Sequence, residues 1–310
     1  MSDGWSEFRG PRATGAVAPG AGGRIPGGAA PEGDVAALAE ALLALRPTAA
    51  LRALPYRETF LVDPGAPGAG PTCLEVDGDA DGIDPRPGGR RPWVVKRHRG
   101  GHGRVAVGEA LRELLAGSPP RCPGRREAEA LAELASLGLP VPRPLFHARS
   151  GATSLVVLEF VPHGRTLRVA LEAGDPRPAD LEALPRLVAR LHAAGWYHRD
   201  LYLEHLLETD DGLVLIDAGR ARRDPLPRLR WLVKDLAALS SSAPAELVHA
   251  RLRFLARWRR ALARAGRPVD ARRVAATVAA REERMRRRTP RHAHRALDTP
   301  AHLDPGGGDR

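Results

Sequence analysis

The side chains most capable of chemistry fall in two short clusters. His198-Arg199-Asp200-Leu201 leads through His205 into a strand-like run, Leu206–Glu208, and Leu213–Ile216 returns to Asp217-Ala218-Gly219. Carboxylate and imidazole groups of this kind accept protons or hold cations. Between the two runs lies Asp210-Asp211-Gly212, a hairpin signal. With the turn centred on 210–211, residue 208 pairs with 213 and 205 falls opposite 216. His205 and Asp217 then emerge at one end of the hairpin, beside the loop carrying Asp200. A lone His-Arg-Asp is common by chance in so arginine-rich a chain, but the hairpin and a second Asp-x-Gly at this spacing make chance a poor explanation.

The other cluster joins a lysine to a carboxylate. Trp93-Val94-Val95-Lys96 puts a lysine at the end of an apolar strand, on the same face as Val94. A lysine on an inner face needs an anionic partner, because an unpaired buried ammonium is costly. Glu127, Leu131 and Leu134 share one face of the helix expected over Arg125–Leu137, whereas Glu129 and Glu133 point away. Glu127 is therefore the carboxylate placed to hold Lys96; taken alone, such a pair reads as a structural salt bridge. The glycine spacing of Gly65–Thr72 imitates a phosphate-binding loop, but Pro71 stands where the lysine belongs and no helix pattern follows. It reads as a surface insertion, with a flexible phosphate-covering hairpin as the alternative.

Composition bounds what these groups can do. Lys96 and Lys234 are the only lysines among 48 basic residues, and there is no Asn or Gln, so no mechanism can use an amide side chain. The net charge of +11 points to anionic partners without choosing among nucleotide, phosphorylated glycolipid, membrane surface and nucleic acid. Two cysteines, Cys73 and Cys122, make neither a disulfide framework nor a four-cysteine zinc site, which suits a reducing compartment. No signal peptide and no transmembrane run is visible, so a soluble cytoplasmic protein is expected.

The elements that must position these clusters follow in order. Residues 1–32 read as a disordered tail, with a short helix over Asp34–Arg46 and strands over Tyr56–Val62 and Thr72–Val76. A Gly/Pro-rich insertion covers about 64–91 before the strand Pro92–Arg97. Helices are expected over Glu109–Ala116 and over Arg125–Leu137, the latter stopped by Gly138 and Pro140. Leu155–Val161 is a buried strand and Ala179–Ala194 a helix; after Asp217 the chain is helical almost to Arg288, with a flexible tail over 289–310. The order is α+β and two-lobed, with a small β-rich lobe over 33–158 and a mostly helical one over 159–288.

This arrangement resembles the protein-kinase-like fold and, within it, the lipopolysaccharide kinase (Kdo/heptose kinase) family. The resemblance runs from about Lys96 to the helix near Arg257. It rests on Gly138-Leu139-Pro140-Val141-Pro142, on His198-Arg199-Asp200-Leu201-Tyr202-Leu203-Glu204-His205, on Leu215-Ile216-Asp217 and on Lys234-Asp235-Leu236-Ala237. It implies an ATP- and Mg²⁺-dependent kinase that phosphorylates a sugar hydroxyl of the lipopolysaccharide inner core. Lys96 would meet the ATP phosphates and be braced by Glu127, and Glu159-Phe160-Val161 would hold adenine through its backbone. Asp200 would take the acceptor proton, and Asp217 would bind Mg²⁺.

The sequence departs from the kinase pattern at several points. Ala218 replaces the usual phenylalanine. His205 stands where protein kinases place asparagine, and imidazole is a poor ligand for Mg²⁺; it reads as a metal or phosphate contact. No Gly-x-Gly-x-x-Gly loop is present, leaving the turn near Arg57-Glu58-Thr59 or Gly65–Gly70 to cover the nucleotide. No Ala-Pro-Glu follows Asp217, which argues against a peptide-gripping loop. Other readings are a kinase of a protein hydroxyl or another small hydroxyl compound, and a non-catalytic pseudokinase scaffold. Asp235 is expected to hydrogen-bond the Asp200 loop, with Lys234 a solvated or ion-paired neighbour. The basic run Arg281–Arg288 reads as an exposed helix face or a peripheral contact with an anionic membrane at the inner face of the cytoplasmic membrane; nucleic acid is not the expected partner.

Overall fold

Side-chain alternation along one apolar strand joins the two halves of this molecule. The computed structural model describes residues 35–47, 50–54, 56–64, 71–74, 91–99, 121–224 and 228–288. The first half comprises α1 (Val35–Ala44), β1 (Arg52–Leu54), β2 (Arg57–Asp63), β3 (Thr72–Cys73), β4 (Trp93–Arg99), α2 (Pro123–Ser136), β5 (Pro144–Ser150) and β6 (Thr153–Glu159). Its antiparallel sheet has the order β1-β2-β4-β6-β5, with β3 added beside β2. Lys96 is central, paired with Thr59 on β2 and Val156 on β6.

Because successive side chains point to opposite faces, β6 contributes to two cores. Leu155 and Val157 pack with Phe60, Val95, Phe146 and α1. Val156 and Leu158 join Leu131 and Leu134 of α2 in the larger core that continues into the helical half. The same alternation on β4 sends Lys96 and Arg97 opposite ways. Arg97 donates to the carbonyls of Leu43 and Leu45 at 2.9 and 2.7 Å, satisfying orphan acceptors at the end of α1. The buried arginine is also paired with Glu58 at 2.5 Å, so it secures α1 to the sheet.

Helix α2 begins with proline at its first turn and ends in a Schellman motif. Gly138, at φ +70°, donates to Ala135 at 2.8 Å, and Leu139 donates to Leu134 at 3.0 Å. Its near end presses on β6: a Cβ at Gly124 would stand 2.3 Å from the Leu155 carbonyl oxygen. Glycine is required by this approach, since no side chain fits the gap.

The second half holds β7 (Arg165–Thr166), α3 (Leu167–Glu172), α4 (Pro178–Ala193), β8 (Trp196–Tyr197), β9 (Leu206–Thr209), β10 (Gly212–Leu215) and β11 (Arg222–Arg223). Three helices follow: α5 (Leu229–Ser241), α6 (Val248–Arg264) and α7 (Ala271–Arg288). This is the α+β, two-lobed arrangement expected from the sequence. The hairpin register matches as well, with Glu208 opposite Leu213 and the Ile216 amide donating to the His205 carbonyl at 2.9 Å. The expected helix over Glu109–Ala116, the Gly65–Gly70 segment and both tails lie outside the described residues. Among the described residues, no helix is long and apolar enough to cross a membrane.

Candidate functional site

The predicted residues meet at the junction of the two halves. From β4, the Lys96 ammonium lies 2.6 Å from Glu127 Oε1 on α2 and 3.2 Å from Asp217 Oδ1 after β10. Glu127 is fully buried and Lys96 nearly so. Helical spacing had singled out Glu127, and Glu129 instead pairs with Arg121 and Arg125 at the surface. The other Glu127 oxygen comes so close to Gly219 that a Cβ there would stand 3.0 Å from it. Asp217 also accepts from Arg57 at 3.1 Å, so the β1–β2 hairpin reaches over the site. Burial alone would raise the Asp217 pKa; Lys96, Arg57, His205 and His198 together hold it well below the usual carboxylate range.

His205 sits between the two aspartates. Its Nδ1 lies 2.8 Å from the Asp200 carbonyl oxygen, which can only accept, so Nδ1 carries the proton. In the neutral ring this leaves the Nε2 lone pair facing Asp217 Oδ2 at 3.6 Å. Asp217 and Arg199 are the two non-glycine residues with positive φ among the described residues, at 60° and 69°. Such conformations persist where the surroundings enforce them, and they gather at functional sites.

The Asp200 loop is held from below by Asp235 on α5. The fully buried Asp235 accepts from the His198 and Arg199 amides at 2.8 and 2.6 Å, as the sequence suggested. His192 adds a third contact at 3.3 Å, its other ring nitrogen accepting from Trp258 at 3.2 Å. The Asp200 carboxylate projects toward solvent, with Arg220 at 3.0 Å and Lys234 at 3.5 Å. Sequence reasoning missed Arg220, one arginine among many with no distinguishing pattern. It left Lys234 as a solvated or ion-paired neighbour, and the structure makes that partner Asp200.

The segment leaving β6 is less exposed to a ligand than its sequence implied. The Glu159 side chain is clasped by Arg143 and Arg91 at 2.9 and 3.4 Å. The amides of Glu159 and Phe160 already donate to Arg143 and Pro92. The Val161 carbonyl accepts from His163 at 2.9 Å, and its amide meets no acceptor among the described residues.

Comparison with known proteins bears directly on these groups. Residues 95–257, which include Lys96, Glu127, Asp200, His205 and Asp217, match the lipopolysaccharide kinase (Kdo/WaaP) family. The chain belongs to that family. A Pseudomonas aeruginosa relative, lipopolysaccharide core heptose(I) kinase WaaP, is 34% identical over 49% of this chain and 63% of its own length. A 3-deoxy-D-manno-octulosonic acid kinase of Xanthomonas campestris is 32% identical over 37% of this chain and 48% of its own. The chain thus spans about half to three-fifths of these curated relatives. A solved structure of WaaP in complex with acyl carrier protein aligns at 25% identity and a TM-score of 0.49, covering 81% of this chain and 91% of that one.

Membership of this family implies Mg²⁺, and Asp217 fits such an ion. Magnesium sites commonly use one or two carboxylates and complete their coordination with substrate phosphates and water. Asp217 supplies such a carboxylate; the His205 Nε2 on the same side is a poor direct ligand for this hard ion and suits accepting from a metal-bound water. Among the described residues, no cluster of three or more His, Cys, Asp or Glu could hold a metal without such help. The ion would there neutralise charge on the transferring phosphates.

Proposed function

We propose that this chain is an ATP-dependent kinase that transfers the γ-phosphoryl group to a sugar hydroxyl of the lipopolysaccharide inner core. The observation carrying this reading is the buried Lys96–Glu127 pair reaching Asp217 across the junction, beside the projecting Asp200. An isolated structural salt bridge would have no reason to extend to a second carboxylate in the neighbouring half. Family membership supports the acceptor class, since the similar proteins are named as heptose and 3-deoxy-D-manno-octulosonic acid kinases.

In this reading Lys96 meets the ATP phosphates, Glu127 fixes its direction, and Arg57 closes the β1–β2 hairpin over them. The Val161 segment receives adenine, with Glu159 contributing backbone alone. Asp217, with His205 beside it, would hold Mg²⁺. The acceptor hydroxyl oxygen bonds to the γ-phosphorus while the bond to the β,γ-bridging oxygen breaks; ADP leaves with that electron pair, and the hydroxyl proton passes to Asp200. Such catalysis is positioning and charge stabilisation rather than covalent chemistry by the protein.

The acceptor is a glycolipid in this reading, and α6 supplies a surface for approaching it. Val248 and Leu252 are exposed there, and Arg253, Arg259, Arg260 and Arg264 line the same helix. Basic and apolar groups together suit peripheral contact with an anionic membrane, here its cytoplasmic face. The deciding assay is transfer of radiolabel from [γ-³²P]ATP to purified inner-core oligosaccharide. Labelling lost in Asp200→Asn supports the reading, and a full-rate Asp200→Asn enzyme refutes it.

A further inference from the structure

The chain's second lysine is as well placed as its first. In a protein that uses arginine for nearly all of its 48 basic residues, both lysines lie against an aspartate of the site. Lys96 is 3.2 Å from Asp217 and Lys234 is 3.5 Å from Asp200. Surface accessibility separates the two cations on Asp200. The Arg220 side chain is 57% exposed and touches both carboxylate oxygens, Oδ1 at 3.1 Å and Oδ2 at 3.0 Å. Lys234 is 19% exposed and comes from α5, the helix whose Asp235 already fixes the loop backbone. Arg220 therefore covers Asp200 from its more exposed side and Lys234 from its less exposed one.

We propose that Lys234 is a positioning residue of phosphoryl transfer: it keeps the Asp200 carboxylate aimed from the buried side while Arg220 gives way to the acceptor. Asp235 fixes the backbone of the loop and Lys234 the side chain that projects from it, so one turn of α5 sets both. Arg220 is the exchangeable counter-ion and Lys234 the permanent one. This assignment rests on the kinase reading.

The test compares the full chain with Lys234→Met and Lys234→Arg, using [γ-³²P]ATP, Mg²⁺ and inner-core oligosaccharide. Wild type that hydrolyses MgATP but labels no oligosaccharide shows the acceptor to be wrong, and hydrolysis then ranks the variants. A side chain that aims a general base is expected to lower kcat by about 10²-fold when removed, within the range such bases contribute. Lys234→Met should do so while KM for MgATP and the melting temperature stay close to wild type. Lys234→Arg should recover much of the rate.

A pH profile separates this role from a merely structural one. Burial, with Arg220 and Arg199 nearby, outweighs the attraction of Asp200 and Asp235 and pushes the Lys234 ammonium down to about 8. Below that pH the ammonium is charged; above it the charge is lost, so wild-type kcat/KM should fall on the alkaline side. Guanidinium stays charged there, and Lys234→Arg should keep its plateau. If Lys234→Met does not fold, the Arg variant's profile decides. A Lys234→Met enzyme with wild-type kcat, or an alkaline limb unchanged in Lys234→Arg, overturns the proposal. Wild type without MgATP turnover of either kind overturns it together with the kinase reading.

Discussion

Asp217 and Asp200, the two aspartates of the proposed site, are held in opposite ways. Asp217 lies in a closed network with Lys96, Glu127 and Arg57, contributed by a strand, a helix and a hairpin of the first half. Asp200 stands on a loop with its backbone tied down and its carboxylate partly exposed, between half-buried Lys234 and exposed Arg220. The difference suits their proposed tasks. Phosphate and metal are the same in every turnover and can be met by a preformed, ion-paired site. The acceptor must enter and leave, so its side is firm underneath and replaceable on top.

The contrast is broken most severely by Lys96→Met. Removing one partner of a buried ion pair leaves an uncompensated charge, so this variant should lose about 3–5 kcal/mol in denaturant unfolding as well as its activity. Adding Glu127→Leu should return much of the stability and none of the transfer, which separates structure from chemistry on the closed side. Asp235→Ala is next. It orphans two loop amides and His192, and at about 1–3 kcal/mol for an unsatisfied buried group it should lower the unfolding midpoint clearly.

Asp200→Asn should be the reverse of Lys96→Met. Loss of the proton acceptor should cost about 10²–10⁴ in kcat. Its melting curve should nevertheless move little, since pairing with the exposed Arg220 contributes only about 0–1 kcal/mol and the amide can still accept from Lys234. Arg220→Ala is the mildest, with stability unchanged within about 0.5 kcal/mol. Any loss greater than that, by thermal or denaturant melting, would show that the open side is as rigid as the closed one.

Local pattern made part of this site readable. Glu127 follows from helical spacing, and the convergence of His205 with Asp217 follows from counting back from Asp210–Gly212. Both depend on neighbours along the chain and on regular geometry. Arg57 was indicated only as part of a turn that could cover the nucleotide. Its contact with Asp217 depends on how the first hairpin lies over the second half. Arg220 and Lys234 depend likewise on long-range packing: α5 must dock beneath the Asp200 loop before Lys234 can reach it. The buried Arg97 escaped notice because it joins Glu58 across the sheet to helix-end carbonyls, which every sequence carries and none advertises.

Helix α2 is closely abutted at two places, with no room for a side chain at the first and little at the second. Gly124 lies against the β6 backbone, and Gly219 against the carboxylate of Glu127. A helix set between such stops cannot swing outward and return as a switch without first breaking its contact with the sheet or with the metal-side loop. The bracing that holds Glu127 toward Lys96 is thus built into the backbone of the neighbours rather than left to side-chain packing alone.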